Sequence, residues 1–316
     1  MRDPARSVTT TAPAQTSRPA VDVVVPFVGT LVELEDLRRR LAALRLRSGD
    51  SVLVVDNTPG RDGPSSGGPD GGDGADVPVL HDARHPTPGF ARNRGASRGH
   101  GEWLVFIDAD SVPSPELPDL YFDPAPAPRT GLVGGGVLDE TVPAGAPVAA
   151  RYAYLRGAMS QEDTFSFGAW GYPKSANIAV RRSAFEEVRG FREDVRAAED
   201  ADLTYRLRAA GWEVERREAA TVVHISRKTV RELLSQKAVW GAGGAWLDRA
   251  YPGSVPLARG PGLAWWALRE TTRGVLSAAR RHDRDALIYA VLRPLDALAW
   301  EFGRRRLSNK RPLRDA

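Results

Sequence analysis

No cysteine occurs in the 316 residues of the chain, which excludes disulfides and thiolate metal sites and fits a reducing cytoplasm. Nor is there a stretch of the roughly 18 apolar residues that a membrane-spanning helix requires. The opening MRDPARSVTTTAPAQTSRPA lacks the apolar core of a secretion signal. The expectation is a cytoplasmic protein, neither secreted nor integral to a membrane. No Gly-x-Gly-x-x-Gly follows the first apolar run and there is no Walker loop, which disfavours dinucleotide-binding and P-loop enzymes. Zinc spacings, arginine-aromatic repeats and helix-turn-helix patterns are also missing, so nucleic acid is not an expected partner.

What is present suffices for one large α/β domain with an appendage, or for two domains, with a substantial core either way. The net charge of +4 is unevenly placed: from Pro261 onward, 12 Arg or Lys face 6 Asp or Glu, and the rest is slightly acidic. Such a tail suits peripheral contact with a membrane surface, a phosphate, or simply a solvated helical face.

Residues 1–20, rich in Thr, Pro, Ala and Arg, read as a disordered arm. VDVVV reads as a strand ended by Pro26, ELEDLRRRLAALRLR as a helix with Leu34, Leu37, Leu41 and Leu44 on one face, and SVLVVD as a buried strand. Strand, helix, strand implies a right-handed parallel unit. PGRDGPSSGGPDGGDGAD reads as a flexible surface loop. Beyond it, ARNRGASRG reads as a helix, GLVGGGVLD as a strand, SANIAVRRSAFEEVRGF as a strand leading into a helix, and AEDADLTYRLRAAG as an amphipathic helix stopped by Gly211. EVERREAATVVHIS supplies extended structure. After Lys228 the chain reads as mainly helical, with Pro294 interrupting the last helix.

The chemistry centres on WLVFIDADSVP, where a run apolar enough to be a buried strand ends in Asp108 and Asp110. Two readings stand at this point: ligands for a metal or phosphate, or caps of the following turn. The same spacing recurs at Asp200/Asp202 and at Asp283/Asp285, the latter in RRHDRDALIYA, where alternating charge reads as a solvated helix start. SVLVVD likewise ends in an acid, Asp56. Parallel strands ending on one edge bring Asp56, Asp108 and Asp110 to one crevice, the place where open α/β sheets bind ligands. Without a glycine cradle, a diphosphate can be held through a divalent cation, and carboxylate oxygens suit Mn²⁺ or Mg²⁺. Two rival classes are a nucleotidyltransferase acting on a sugar phosphate and a non-catalytic nucleotide-binding module. The first should carry a Gly-rich, Arg/Lys-containing signature after its first strand, and VVVPFVGTLVELEDL has none.

Taken in order, VVVPF, VLVVDNT, ARNRGA, WLVFIDADSVP, SANIAVRRSAFEEVRGF and AEDADLTYRL resemble the inverting family-two glycosyltransferases. The resemblance spans about residues 21–245. It implies an α/β fold of GT-A type: a Rossmann-like, mixed and mostly parallel sheet flanked by helices. Residues 21–245 would form the catalytic domain and 246–316 a C-terminal helical extension. It also implies transfer of a sugar from a nucleotide-diphosphate donor, with UDP favoured, to an acceptor hydroxyl or other nucleophile, with inversion and a bound Mn²⁺ or Mg²⁺.

Residue by residue, the resemblance gives Asp56 the base, Asp108 the ribose and Asp110 the metal. Pro26, at the exit of the first strand, falls in the same donor-binding set. Asp200 maps to the catalytic base with Glu199 beside it, and a carboxylate there has independent chemical sense, because an acceptor hydroxyl needs a proton acceptor as it attacks. Both acids also suit the positive start of the following helix. His224 maps to a histidine that completes the metal site. Arg92 and Asn93 map near the diphosphate or base, and Asn177 near the sugar or acceptor. Where processive relatives carry Gln-x-x-Arg-Trp, this chain has Gln236, Lys237 and Trp240 without the arginine, which argues against a processive synthase. The acceptor stays open among a small natural product, a peptide, a glycan and a lipid phosphate. The basic C-terminal helices are expected to pack on the catalytic domain, with a homodimer or a peripheral membrane contact as the other arrangements.

Overall fold

The computed structural model describes residues 18–61, 77–256, 260 and 262–310. Most of the expected N-terminal arm and of the Gly-rich loop lies outside the described residues.

Eight strands form one sheet: β1 (Val21–Phe27), β2 (Ser51–Asp56), β3 (Val79–His81), β4 (Trp103–Ile107), β5 (Ser111–Pro113), β6 (Thr130–Asp139), β7 (Asn177–Arg181) and β8 (Glu213–His224). Their order is β3-β2-β1-β4-β7-β6-β8-β5. The first four in that order run parallel, β7 is antiparallel to both its neighbours, β6 and β8 are parallel, and β5 closes the edge antiparallel to β8. The result is a mixed, mostly parallel α/β sheet.

Strand side chains alternate between faces, and both faces are covered, so the strands are apolar throughout. On one side Val21, Val23, Val25, Trp103, Val105 and Ile107 pack with Leu34, Leu37 and Leu41 of α1 (Leu31–Leu41). On the other, Val24, Leu104, Phe106, Ile178 and Val180 meet α2 (Pro88–Ala96) and, later in the chain, Phe185, Leu203 and Leu207. Each large apolar side chain buried in this way contributes about 1.5–3 kcal/mol. The helix α1 opens with a capping box, in which the Thr30 hydroxyl accepts from the Glu33 N–H and the Glu33 carboxylate accepts from the Thr30 N–H. It stops at Leu41, so Leu44 lies outside the helix, yet it is buried in the same cluster.

Short helices α3 (Leu117–Leu120), α4 (Val148–Arg156), α5 (Glu162–Phe165) and α6 (Arg182–Glu187) link the strands, and α7 (Glu199–Ala209) precedes β8. Three longer helices follow: α8 (Val230–Ala250), α9 (Leu263–Arg281) and α10 (Arg284–Arg306). The sequence reading had Pro294 interrupting the last helix; instead α10 runs through it, with Pro294 buried. Packing of α10 between neighbouring helices offsets the one backbone hydrogen bond that proline forfeits. No helix among the described residues is long and apolar enough to cross a membrane.

Close approach between α8 and α10 depends on two glycines. A Cβ on Gly303 would lie 1.8 Å from the Ala238 carbonyl oxygen, and one on Gly241 would lie 2.0 Å from that of Trp300. Alanine in a helix gains about 1 kcal/mol over glycine, whereas forcing atoms into a packed interface costs about 1–3 kcal/mol. Backbone atoms cannot swing aside, so the clash should win. Gly303→Ala is expected to destabilise the protein by about 1–2 kcal/mol in urea denaturation; an unchanged or raised midpoint would show that the two helices are free to separate.

Candidate active site

The carboxyl ends of β1, β2 and β4 open onto one cavity of about 1220 Å³, roomy even beside the roughly 300–1,000 Å³ of ordinary ligand pockets. Pro26, Arg92, Asp108, Asp110, Glu199, Asp200 and His224 line it. These residues come from the ends of β1, β4 and β8, from α2 and from the start of α7, so distant segments meet at one sheet edge.

Two arginines fix the acidic turn. Arg40, from α1, donates to the carbonyl oxygens of Ser111 (2.9 Å) and Ala109 (3.2 Å). Arg92 is buried and bridges two carboxylates, Asp108 at 2.7 Å and Glu199 at 2.8 Å. Asp110 then stands apart from this pair. Its carboxylate faces His224 Nε2 at 3.5 Å and Arg227 at 3.3 Å, and the Ile225 N–H donates to its backbone carbonyl at 2.7 Å. Burial alone would push the Asp110 carboxyl up, but His224 and Arg227 outweigh it and hold the group below its usual range. For His224, burial favours the neutral ring, and the hydrogen bond and charge of Asp110, with Asp139 and Asp108, prevail and raise it.

The arrangement suits a divalent cation. Among the described residues no group of three His, Cys, Asp or Glu converges on a metal position; Asp110 and Asp139 address opposite nitrogens of the same imidazole, Asp139 being 3.8 Å from Nδ1. Asp110 and His224 Nε2 are the groups here whose chemistry would fit a divalent cation, with other positions left to oxygens of a diphosphate or water. His224 Nδ1 and Asp139 Oδ1 are buried with no hydrogen-bond partner and lie 3.8 Å apart, too far for a hydrogen bond between them. Burial also raises the Asp139 carboxyl, against the Met159 N–H that it accepts.

Asp200 is the most perturbed acid of the site. Burial, then the adjacent charge of Glu199, lifts it to about 7, while N–H groups of Ala201 (2.8 Å) and Ser175 (3.3 Å) hold its two oxygens. The preceding Ala198 has φ of 69° in the left-handed region, a conformation that costs a non-glycine residue about 1–2 kcal/mol.

Three expected residues do not line the cavity. Asp56 ends β2 on the same edge, but it is fully buried and turned to Arg61 (2.8 Å), His81 (3.1 Å) and the Thr58 N–H (3.0 Å); the next residue, Asn57, lines the cavity instead. Asn93 binds the loop after Gly190, donating to Phe191 O and Glu193 and accepting from the Phe191 N–H. Asn177 is buried among three strands, donating to the carbonyls of Gly136 (2.8 Å) and Ala220 (2.7 Å) and accepting from Tyr121 (2.7 Å). In each case nearby backbone groups satisfy the polar side chain.

A sequence profile described as glycosyltransferase like family 2 matches residues 70–243. The chain belongs to this family. It is 29% identical over 269 residues to the pre-mycofactocin glycosyltransferases of two Mycobacterium tuberculosis strains, CDC 1551 / Oshkosh and ATCC 25618 / H37Rv, covering 83% of this chain and 55% of theirs. It therefore spans about half the length of the curated relatives it matches. Its fold is similar to that of a mannosyltransferase from Pyrobaculum calidifontis solved with GDP-Man and Mn²⁺, with a TM-score of 0.60, 16% identity, and coverage of 95% of this chain and 91% of that one. The fold is thus of the GT-A glycosyltransferase type.

Sequence reasoning missed Arg40, Asp139 and Arg227 in this glycosyltransferase-family site, and also the share taken by α10. Asp296, Trp300 and Arg304 of α10 line the cavity, and Asp296 Oδ2 ties Arg156 of α4 (3.0 Å) to Lys237 of α8 (3.4 Å). Burial lowers Lys237 to about 8, with Arg156 acting in the same sense and Asp296 opposing it. The helical register of the C-terminal segment was the one available signal, and it does not say which turn of α10 faces the cavity.

The Asp200 shift has a consequence for stability. Its folded value near 7 exceeds the value of about 3.9 for an unfolded aspartate, so the folded state binds the extra proton between those limits. The associated stability is fully present below about pH 4 and is lost as pH rises through about 7. Asp200→Asn, which is neutral at every pH, should melt at a higher temperature than the parent at about pH 8 and at an equal temperature near pH 4; thermal melts at both values check it.

Proposed function

We propose that this glycosyltransferase-family chain moves a sugar from a nucleotide-diphosphate donor, UDP being the expected carrier, to an acceptor nucleophile with inversion, and that donor binding requires Mn²⁺ or Mg²⁺. The observation that carries the reading is geometric: Asp200, held by two backbone N–H groups at the start of α7, lines the same cavity as the Asp110–His224 pair.

Asp110 and His224 would hold the cation, which supplies charge to neutralise the diphosphate as it leaves. The chain's own groups do the rest. Arg92 commits Glu199 and Asp108 to ion pairs, so that Asp200, raised by burial and by the charge of Glu199, is the acid left to take a proton. A base with a value near 7 is matched to work at neutral pH. The N–H groups of Ser175 and Ala201 orient its oxygens, one of which accepts the proton of the acceptor hydroxyl as the hydroxyl oxygen bonds to the anomeric carbon and the bond from that carbon to the leaving nucleoside diphosphate breaks. The α10 wall would help to close the acceptor side and exclude water. Residues 21–245 would carry the donor chemistry, and the later helices would complete the acceptor side. The neighbour from Pyrobaculum calidifontis holds GDP-Man, so a screen of UDP, GDP and dTDP sugars for slow donor hydrolysis identifies the base.

EDTA should abolish turnover, and Asp110→Ala should remove metal-dependent stabilisation by the nucleotide in thermal shift; full activity with no divalent ion present ends the metal reading. Asp200→Asn should keep donor affinity in the same assay while losing about 10²- to 10⁴-fold in transfer rate. A variant that transfers at the parent rate would hand the base role to another group, with Glu199 next in line.

A further inference from the structure

A helix packed on a protein ordinarily turns its bulky apolar side chains inward, and α9 leaves a further apolar stripe facing out. Its side toward α10 combines buried Leu263, Ala267 and Ala278, the Trp266 ring 5.6 Å from the Arg293 guanidinium, Gly274, where a Cβ would lie 2.5 Å from that of Ala290, and Glu270 paired with Arg293 at 3.7 Å. On the opposite side Trp265, Leu268 and Leu276 are 68%, 60% and 53% exposed. Their separations of three and eight residues set them on one stripe. Arg269, Arg273 and Arg280, all exposed, run along one flank of it.

The outer side of α10 repeats the pattern. Leu287, Val291, Leu295, Leu298 and Phe302, spaced by three or four, form a second exposed apolar stripe that ends in Arg305 and Arg306. Glu270, the one acid of α9, pairs with Arg293; on α10, Asp285 pairs with Arg151, and Asp296 and Glu301 are buried. On α10 the terminal Arg305 pairs with Glu301 at 3.6 Å and exposed Asp283 caps the helix start, so the face of apolar and aromatic side chains beside arginine without a neighbouring carboxylate is that of α9.

We infer that the outward face of α9, with Trp265, Leu268 and Leu276 beside Arg269, Arg273 and Arg280, seats the protein on an anionic lipid surface. Apolar side chains enter the headgroup boundary while the arginines meet lipid phosphates. Charge decides against a second copy of the chain as occupant, because two such faces would oppose arginine to arginine with nothing to compensate. No helix among the described residues is long and apolar enough to cross a bilayer, so the contact proposed is an interfacial one. The packing expected of this segment is kept as well, since the inner side of α10 meets α8, α9 and the cavity.

The test is co-sedimentation of the full chain with phosphatidylcholine vesicles, with and without phosphatidylglycerol, across a salt series. The expected result is pelleting with the anionic vesicles at low salt, little with neutral ones, and release as screening rises. Trp265→Glu with Leu268→Glu should lower partitioning about tenfold, and Arg273→Gln with Arg280→Gln should lower it by about the same factor at low salt. All four side chains are exposed, so both double variants should melt like the parent. The proposal is overturned if the parent stays in the supernatant with anionic vesicles at low salt, if it binds neutral and anionic vesicles alike, or if light scattering shows a dimer that the Trp265/Leu268 variant dissociates.

Discussion

The site depends on one buried cation. The Arg92 guanidinium, under the Phe191 ring at 5.3 Å, is out of water, where an unpaired charge would be prohibitive. It is compensated by Asp108 at the end of β4 and Glu199 at the start of α7. Burial raises the cost of losing either partner, so the pairings dictate where α7 begins relative to the sheet. Asp200, the next residue, is thereby brought to the cavity beside a fixed negative charge. The helix start that holds it includes the strained Ala198, a local cost that the surrounding packing absorbs.

The same interaction divides the acids by task. Asp108 is committed to Arg92, while Asp110, two residues on, faces His224 and Arg227. Arg40 holds the intervening backbone by its carbonyls, so the two carboxylates point to different partners without any glycine in the turn. Asp200 and the Asp110–His224 pair thereby share one cavity with separate partners.

The C-terminal helices serve two environments through opposite faces of one element. Inward, α10 offers Asp296, Trp300 and Arg304 to the cavity and fits against α8 at glycine contacts. Outward, it and α9 present apolar stripes edged with arginine. An amphipathic period of 3.6 residues permits this division, because residues one turn apart share a face whatever that face meets.

Much of the architecture follows from sequence alone. Apolar runs such as VDVVV and WLVFI, buried on both faces, are legible as parallel strands, and that Asp108, Asp110, Glu199, Asp200 and His224 come to one cavity is legible because chain order and residue type resemble a known family. What sequence could not decide is the direction of each polar side chain. Asp56, Asn93 and Asn177 sit in the expected segments, yet neighbouring backbone and charged groups claim them. Pro294 shows the same limit for backbone, since local propensity favours a break and packing keeps the helix whole. The Arg92 bridge and the value near 7 at Asp200 arise only in three dimensions, because burial and charge proximity are properties of segments brought together by the sheet and not of residues adjacent in the chain.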